Sequence, residues 1–156
     1  MCARIEAGNI LKAIVPIDEV SGFFDELPER AKRLKDDAFH ITLLHQKYAK
    51  PNSMLFASVL GLLDTRLEHL KVPFLDPPKL WLGSQVHHVA RQGPEKEAWI
   101  VLCANQDSWR RYVNKLLYAI GDLAEPEPRR VYHATIANLK GDPFSSIGDV
   151  CVDDLA

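Results

Sequence analysis

Apolar residues follow two rhythms along this chain. Short unbroken or alternating runs predict strands: "ILKAIVPI" (Ile10–Ile17), "FHITLL" (Phe39–Leu44), "KLWLGSQVHHVARQ" (Lys79–Gln92), "EAWIVLCAN" (Glu97–Asn105) and "RRVYHATIAN" (Arg129–Asn138). The turn "GPEK" between the third and fourth makes those two a hairpin. Elsewhere apolar residues recur at three- and four-residue intervals. Val20, Phe23, Phe24, Leu27, Ala31 and Leu34 predict a helix, kinked or restarted at Pro28. Pro51 and Asn52 open a second helix, with Leu55, Val59, Leu62, Leu63 and Leu67 as its stripe. Asp107 caps a third, carrying Trp109, Val113, Leu116, Leu117 and Ile120 and ending near Gly121. "VPFLDPP" (Val72–Pro78) is extended and broken by prolines, "EPEP" and "GDP" read as loop and turn, and the tail "SIGDVCV" as a short edge strand.

The order strand, helix, strand occurs at 10–44 and again at 97–137, without a sequence repeat. It predicts an α+β domain of two similar lobes with antiparallel pairing. A chain of 156 residues fits a single domain spanning 1–156. The net charge of −2 supplies no global field for long nucleic acid, so a nucleotide ligand should be small or held by a local patch. No apolar run approaches the ~18 residues of a membrane span, and the N-terminal "MCARIEAGNI" lacks the pattern of a signal peptide. Cys2, Cys103 and Cys151 are odd in number and far apart, which argues against a disulfide framework or zinc site and for a reducing cytoplasm.

Two of the three threonines stand in the same frame, "HITL" (His40–Leu43) and "HATI" (His133–Ile136), with the histidines 93 residues apart. Residues i and i+2 share a face of a strand, so His40 and Thr42 point one way, and so do His133 and Thr135. Ile41, Leu43, Ala134 and Ile136 face the core behind them. A single H-x-T on a strand is most often a histidine bonded to a neighbour. Two copies in matching strands suggest a paired site. If the strands lie side by side, two imidazoles and two hydroxyls converge, a set suited to phosphoryl transfer without metal. One neutral imidazole takes a proton from the attacking hydroxyl and the other, protonated, gives one to the leaving oxygen. The threonines donate to the non-bridging oxygens.

On these two tetrapeptides the chain resembles the two-histidine (2H) phosphoesterase superfamily. The resemblance implies a bilobal fold of two mainly antiparallel sheets flanked by helices, with an H-x-T strand from each lobe lining a central cleft. It further implies His40, Thr42, His133 and Thr135 as catalytic residues, no cofactor and no metal. RNA end-processing members often carry a basic residue five positions after the second histidine, where this chain has Asn138. The run "HATIANLKGDPFSSIGDV" (His133–Val150) is instead similar to the compact phage-encoded branch that degrades cyclic oligonucleotides of anti-phage (CBASS) signalling. That implies a small nucleotide substrate, cleavage of 3′–5′ bonds by the 2′-hydroxyl, a monomer with neither long duplex nucleic acid nor membrane as partner, and the bacterial host's cytoplasm. An RNA 2′,3′-cyclic phosphodiesterase and a non-catalytic cyclic-nucleotide sponge are the alternatives.

Lys140, Tyr48 and Trp81 are candidate substrate-binding residues, as phosphate partner and stacking rings. His87 and His88, adjacent on a strand, face opposite ways and read as surface or core groups. His45 reads as structural, His69 as solvated, Trp109 as core, Trp81 also as core in its commoner reading, with base stacking as the alternative, and Arg129 and Arg130 as a solvated face from which one could reach substrate.

Overall fold

Strand residues that alternate between apolar and polar must bury one face, and the described strands do so by joining into one sheet. The computed structural model describes residues 3–7, 10–45, 77–90, 97–119, 130–142, 147 and 150–155. The strands are β1 (Arg4–Ala7), β2 (Ile10–Ile14), β3 (Lys32–Arg33), β4 (His40–His45), β5 (Leu82–Ala90), β6 (Glu97–Cys103) and β7 (His133–Asn138). All the pairings are antiparallel, in the order β1-β2-β4-β7-β6-β5, with β3 against the far end of β7. One α-helix is described, α1 (Gln106–Ala119). The class is therefore α+β with a mainly antiparallel sheet.

The main core lies on one sheet face. Ile41 and Leu43 of β4, Val101 and Cys103 of β6, and Ala134 and Ile136 of β7 meet Trp109, Tyr112 and Val113, the i, i+3 and i+4 positions of α1. Val20, Leu34 and Phe39 complete it, with Phe24 and Phe39 ring centroids 5.8 Å apart. A second apolar cluster forms on the opposite face, where Ile147 and Val150 cover Val89, Ala98, Ile100 and Val131.

Three expectations change. The helix read from Val20 to Leu34 is a pair of 3-10 turns, Ile17–Glu19 and Ser21–Glu26, followed by β3. Val20, Phe23, Phe24 and Leu27 fit a three-residue turn as well as a 3.6-residue one, and Pro28 cannot continue the ladder. Where it is described, the tail makes an isolated bridge, Cys151 to Arg130, and a 3-10 turn at Val152–Leu155 in place of the expected edge strand; Ser146, Gly148 and Asp149 lie outside the described residues. Among the described residues the strands form one seven-stranded sheet rather than the two expected, because the two H-x-T strands meet at the Ile41–Ala134 pair. The predicted helix at 51–67 lies outside the described residues. Among the described residues no helix is long and apolar enough to cross a membrane.

Candidate functional site

The position of the site follows from one register. Ile41 of β4 stands opposite Ala134 of β7, and both are fully buried in the main core. Directly opposed residues of an antiparallel pair share a face, and their neighbours face the other way. His40, Thr42, His133 and Thr135 therefore all emerge on the face opposite that core. Ile41–Ala134 is the one ladder pair between β4 and β7 among the described residues. On either side of it the two histidines lie diagonally across the strand boundary, a relation that in a regular ladder separates residues by about 7–8 Å. The two H-x-T motifs are thus related by an approximate two-fold axis through the Ile41–Ala134 pair.

The same symmetry governs the rings. His40 Nδ1 lies 2.9 Å from the Ala38 carbonyl oxygen, and His133 Nδ1 lies 3.2 Å from that of Val131. Each ring is held by the carbonyl two residues upstream, which selects the tautomer with the proton on Nδ1. Burial distinguishes the two. His40 is half-buried, whereas His133 is 8% exposed. Desolvation pulls the His133 pKa down to about 4, against the opposing carbonyls of Val131 and Ile147 and with help from the charges of Arg130 and His40. His40 is also lowered, mainly by desolvation and further by Lys12, while its bond to Ala38 opposes the shift.

The lead-in to the second motif is fixed by Gln106 and Arg110, to which the sequence reading assigned no role, and by Arg130. Gln106, in the first turn of α1, donates from Nε2 to the carbonyls of Cys103 (2.8 Å) and Tyr132 (2.7 Å), and its Oε1 accepts the Tyr132 amide at 2.7 Å. Arg110 donates to the Arg130 carbonyl at 3.0 Å. Arg130 is not on a solvated face: it is 5% exposed. Its guanidinium donates to the carbonyls of Leu43 (3.0 Å) and Thr42 (2.6 Å) and lies over the Tyr132 ring. It ties the chain entering β7 to the β4 strand that carries the first motif.

Sheet register also places Lys12, which sequence reading did not single out. It stands opposite Thr42 across β2 and β4, so it shares the face of the histidines. The available signal was a single charge within the apolar run "ILKAI". Trp81 stands just ahead of β5 and is 59% exposed, so it is not a core residue. Lys140 is not brought to the histidines. It is exposed beyond the C-terminal end of β7, where β3 pairs, at the opposite end of the strand from His133. Asn138 is fully buried and builds the turn there, accepting the amides of Lys140 (2.9 Å) and Gly141 (2.6 Å) and donating to the Asp142 carbonyl (2.7 Å). Gly141 completes that turn at φ +72°, where a Cβ would press on the Arg33 carbonyl.

His87 and His88 do face opposite ways, their partners being Ile100 and Trp99. His88 stacks on Trp99 and bonds Glu97 at 2.8 Å, away from the H-x-T face. Trp109 is fully buried, as expected of a core residue. Tyr48 and His69 lie outside the described residues. Among the described residues no three His, Cys, Asp or Glu side chains converge as a metal site. Comparison with known protein families, curated proteins and solved structures found no match.

Proposed function

We propose that this chain is a two-histidine phosphodiesterase of the bilobal superfamily, its lobes being β1-β2-β4 and β7-β6-β5 fused along the H-x-T strands. The observation that carries the reading is the Ile41–Ala134 pair, which joins the two H-x-T strands with both motifs turned to the same face. One cation, Lys12, lies beside Thr42 on that face, and the charge of the buried Arg130 reaches His133.

The substrate class is a cyclic oligonucleotide of the bacterial anti-phage type. In the first step a ribose 2′-hydroxyl attacks the adjacent phosphorus and its proton passes to a neutral histidine. The P–O5′ bond breaks, and the other histidine, protonated, delivers a proton to O5′. The products are a 2′,3′-cyclic phosphate and a 5′-hydroxyl. In a second step water opens the cyclic phosphate, with the two rings exchanging roles. His133, enclosed and held neutral, is the base of the first step. His40, in contact with solvent, takes up its proton more readily and is the acid. Thr42 and Thr135 donate to the non-bridging oxygens, and Trp81 offers a face for a base. Asn138 disfavours the RNA-end alternative, because the position that is basic in such enzymes here closes a turn.

Product analysis tests the reading. The chain is incubated with cyclic dinucleotides, cyclic trinucleotides and a 2′,3′-cyclic mononucleotide, and the products are separated by chromatography. Linear products from a cyclic di- or trinucleotide support it. Ligand bound but recovered intact would show a sponge, and turnover of the mononucleotide alone would show an RNA-end enzyme.

A further inference from the structure

We propose that Lys12 is a third phosphate-holding group of the site, contacting a non-bridging oxygen beside Thr42. The proposal rests on the two-histidine reading and adds to it a residue outside the H-x-T motifs. Three observations place it. Lys12 opposes Thr42 directly in the β2–β4 ladder, which brings their Cβ atoms to about 5 Å on the shared face. Its charge reaches His40 and lowers that ring's affinity for a proton. It is partly buried, and among the described residues its ammonium has no hydrogen bond or ion pair.

The nearest carboxylate by register is Glu6, opposite Lys12 on β1. That carboxylate is bonded to Arg4 at 3.1 Å. An anion arriving on this face would meet a lysine whose charge is not already paired among the described residues. On its other side the site meets Leu102, opposite His133 on β6, so the only cation that β2 and β6 contribute beside the two motifs comes from Lys12 among the described residues. A phosphate between the histidines would therefore find one lysine in reach, on the β2 side.

Inorganic phosphate is the probe, titrated into the full chain while the His40 ring resonances are followed by NMR. Phosphate should bind the wild type and shift His40, and Lys12→Met should weaken binding at least tenfold while Lys12→Arg retains most of it. If substrate turnover is followed in parallel, Lys12→Met should lower kcat/KM by about tenfold or more with Tm nearly unchanged. Equal phosphate affinity in wild type and Lys12→Met, or no binding to the wild type, overturns the proposal. A Tm loss with unchanged affinity would also overturn it, assigning Lys12 to a structural pair with Glu6. Failure of the underlying reading looks different: the wild type would leave the cyclic nucleotide intact, or His40→Ala would turn it over as the wild type does, whatever Lys12 binds.

Discussion

Lowering the pH from 7 to 4 should destabilise this protein by about 3 kcal/mol through His133 alone. The ring is 8% exposed and its pKa is held at about 4, against 6.5 for an unhindered histidine. At pH 7 it is neutral in both folded and unfolded chains and contributes nothing. Below pH 6.5 the unfolded chain binds a proton that the folded one refuses, so stability falls with falling pH until about pH 4, where the folded ring also protonates. At about 1.4 kcal/mol for each unit of pH, that window spans about 3 kcal/mol. The assay is urea unfolding of wild type and His133→Asn across pH 4 to 7. Carboxylate effects are common to both proteins and cancel in the difference. The wild-type advantage should shrink by about 3 kcal/mol on acidification. A pH-independent difference would show that the ring is not enclosed as described.

Three further outcomes follow from the same geometry. Arg130→Met removes two charge-assisted bonds and strands the Thr42 and Leu43 carbonyls, so it should cost about 3 kcal/mol in denaturant unfolding. It should also raise the His133 pKa, read by NMR titration, because a neighbouring positive charge is lost. Asn138→Ala leaves the Lys140 and Gly141 amides without their acceptor and should cost about 2 kcal/mol, with kcat unchanged because the turn is remote from His133. The pH profile of kcat/KM should be bell-shaped with its optimum below the 6.5 of a free histidine, because both ring pKa values are lowered. Activity should fall as pH rises, when the acid loses its proton, and should fall again near pH 4, when the base gains one.

The strand pattern was legible where alternation was strong. The β5–β6 hairpin, β4 and β7 stand where the sequence places them, and so does the third helix, except that it begins at Gln106 and holds Asp107 in its first turn rather than as its cap. The shared face of each H-x-T pair follows from strand periodicity alone. What periodicity could not give was partnership. That β4 and β7 touch, and touch at Ile41–Ala134, depends on contacts across more than ninety residues that leave no local trace. The 3-10 turns after Ile17 were misread because apolar spacing of three and four fits both helix types. Arg130 was misread because a charged pair in sequence looks solvated until the carbonyls it serves are known. Lys12 belongs to the same class, a polar residue whose meaning came only from its cross-strand neighbour.

The account stands most directly on the rates of four proteins: wild type, His40→Ala, His133→Ala and the double variant, each confirmed folded, acting on a cyclic dinucleotide under single-turnover conditions. Two rings serving one phosphate predict that each single substitution slows cleavage by about 10²-fold or more, and that the double variant is scarcely slower than either single one. A single variant as fast as the wild type would contradict the claim that the paired strands deliver both imidazoles to the same reaction.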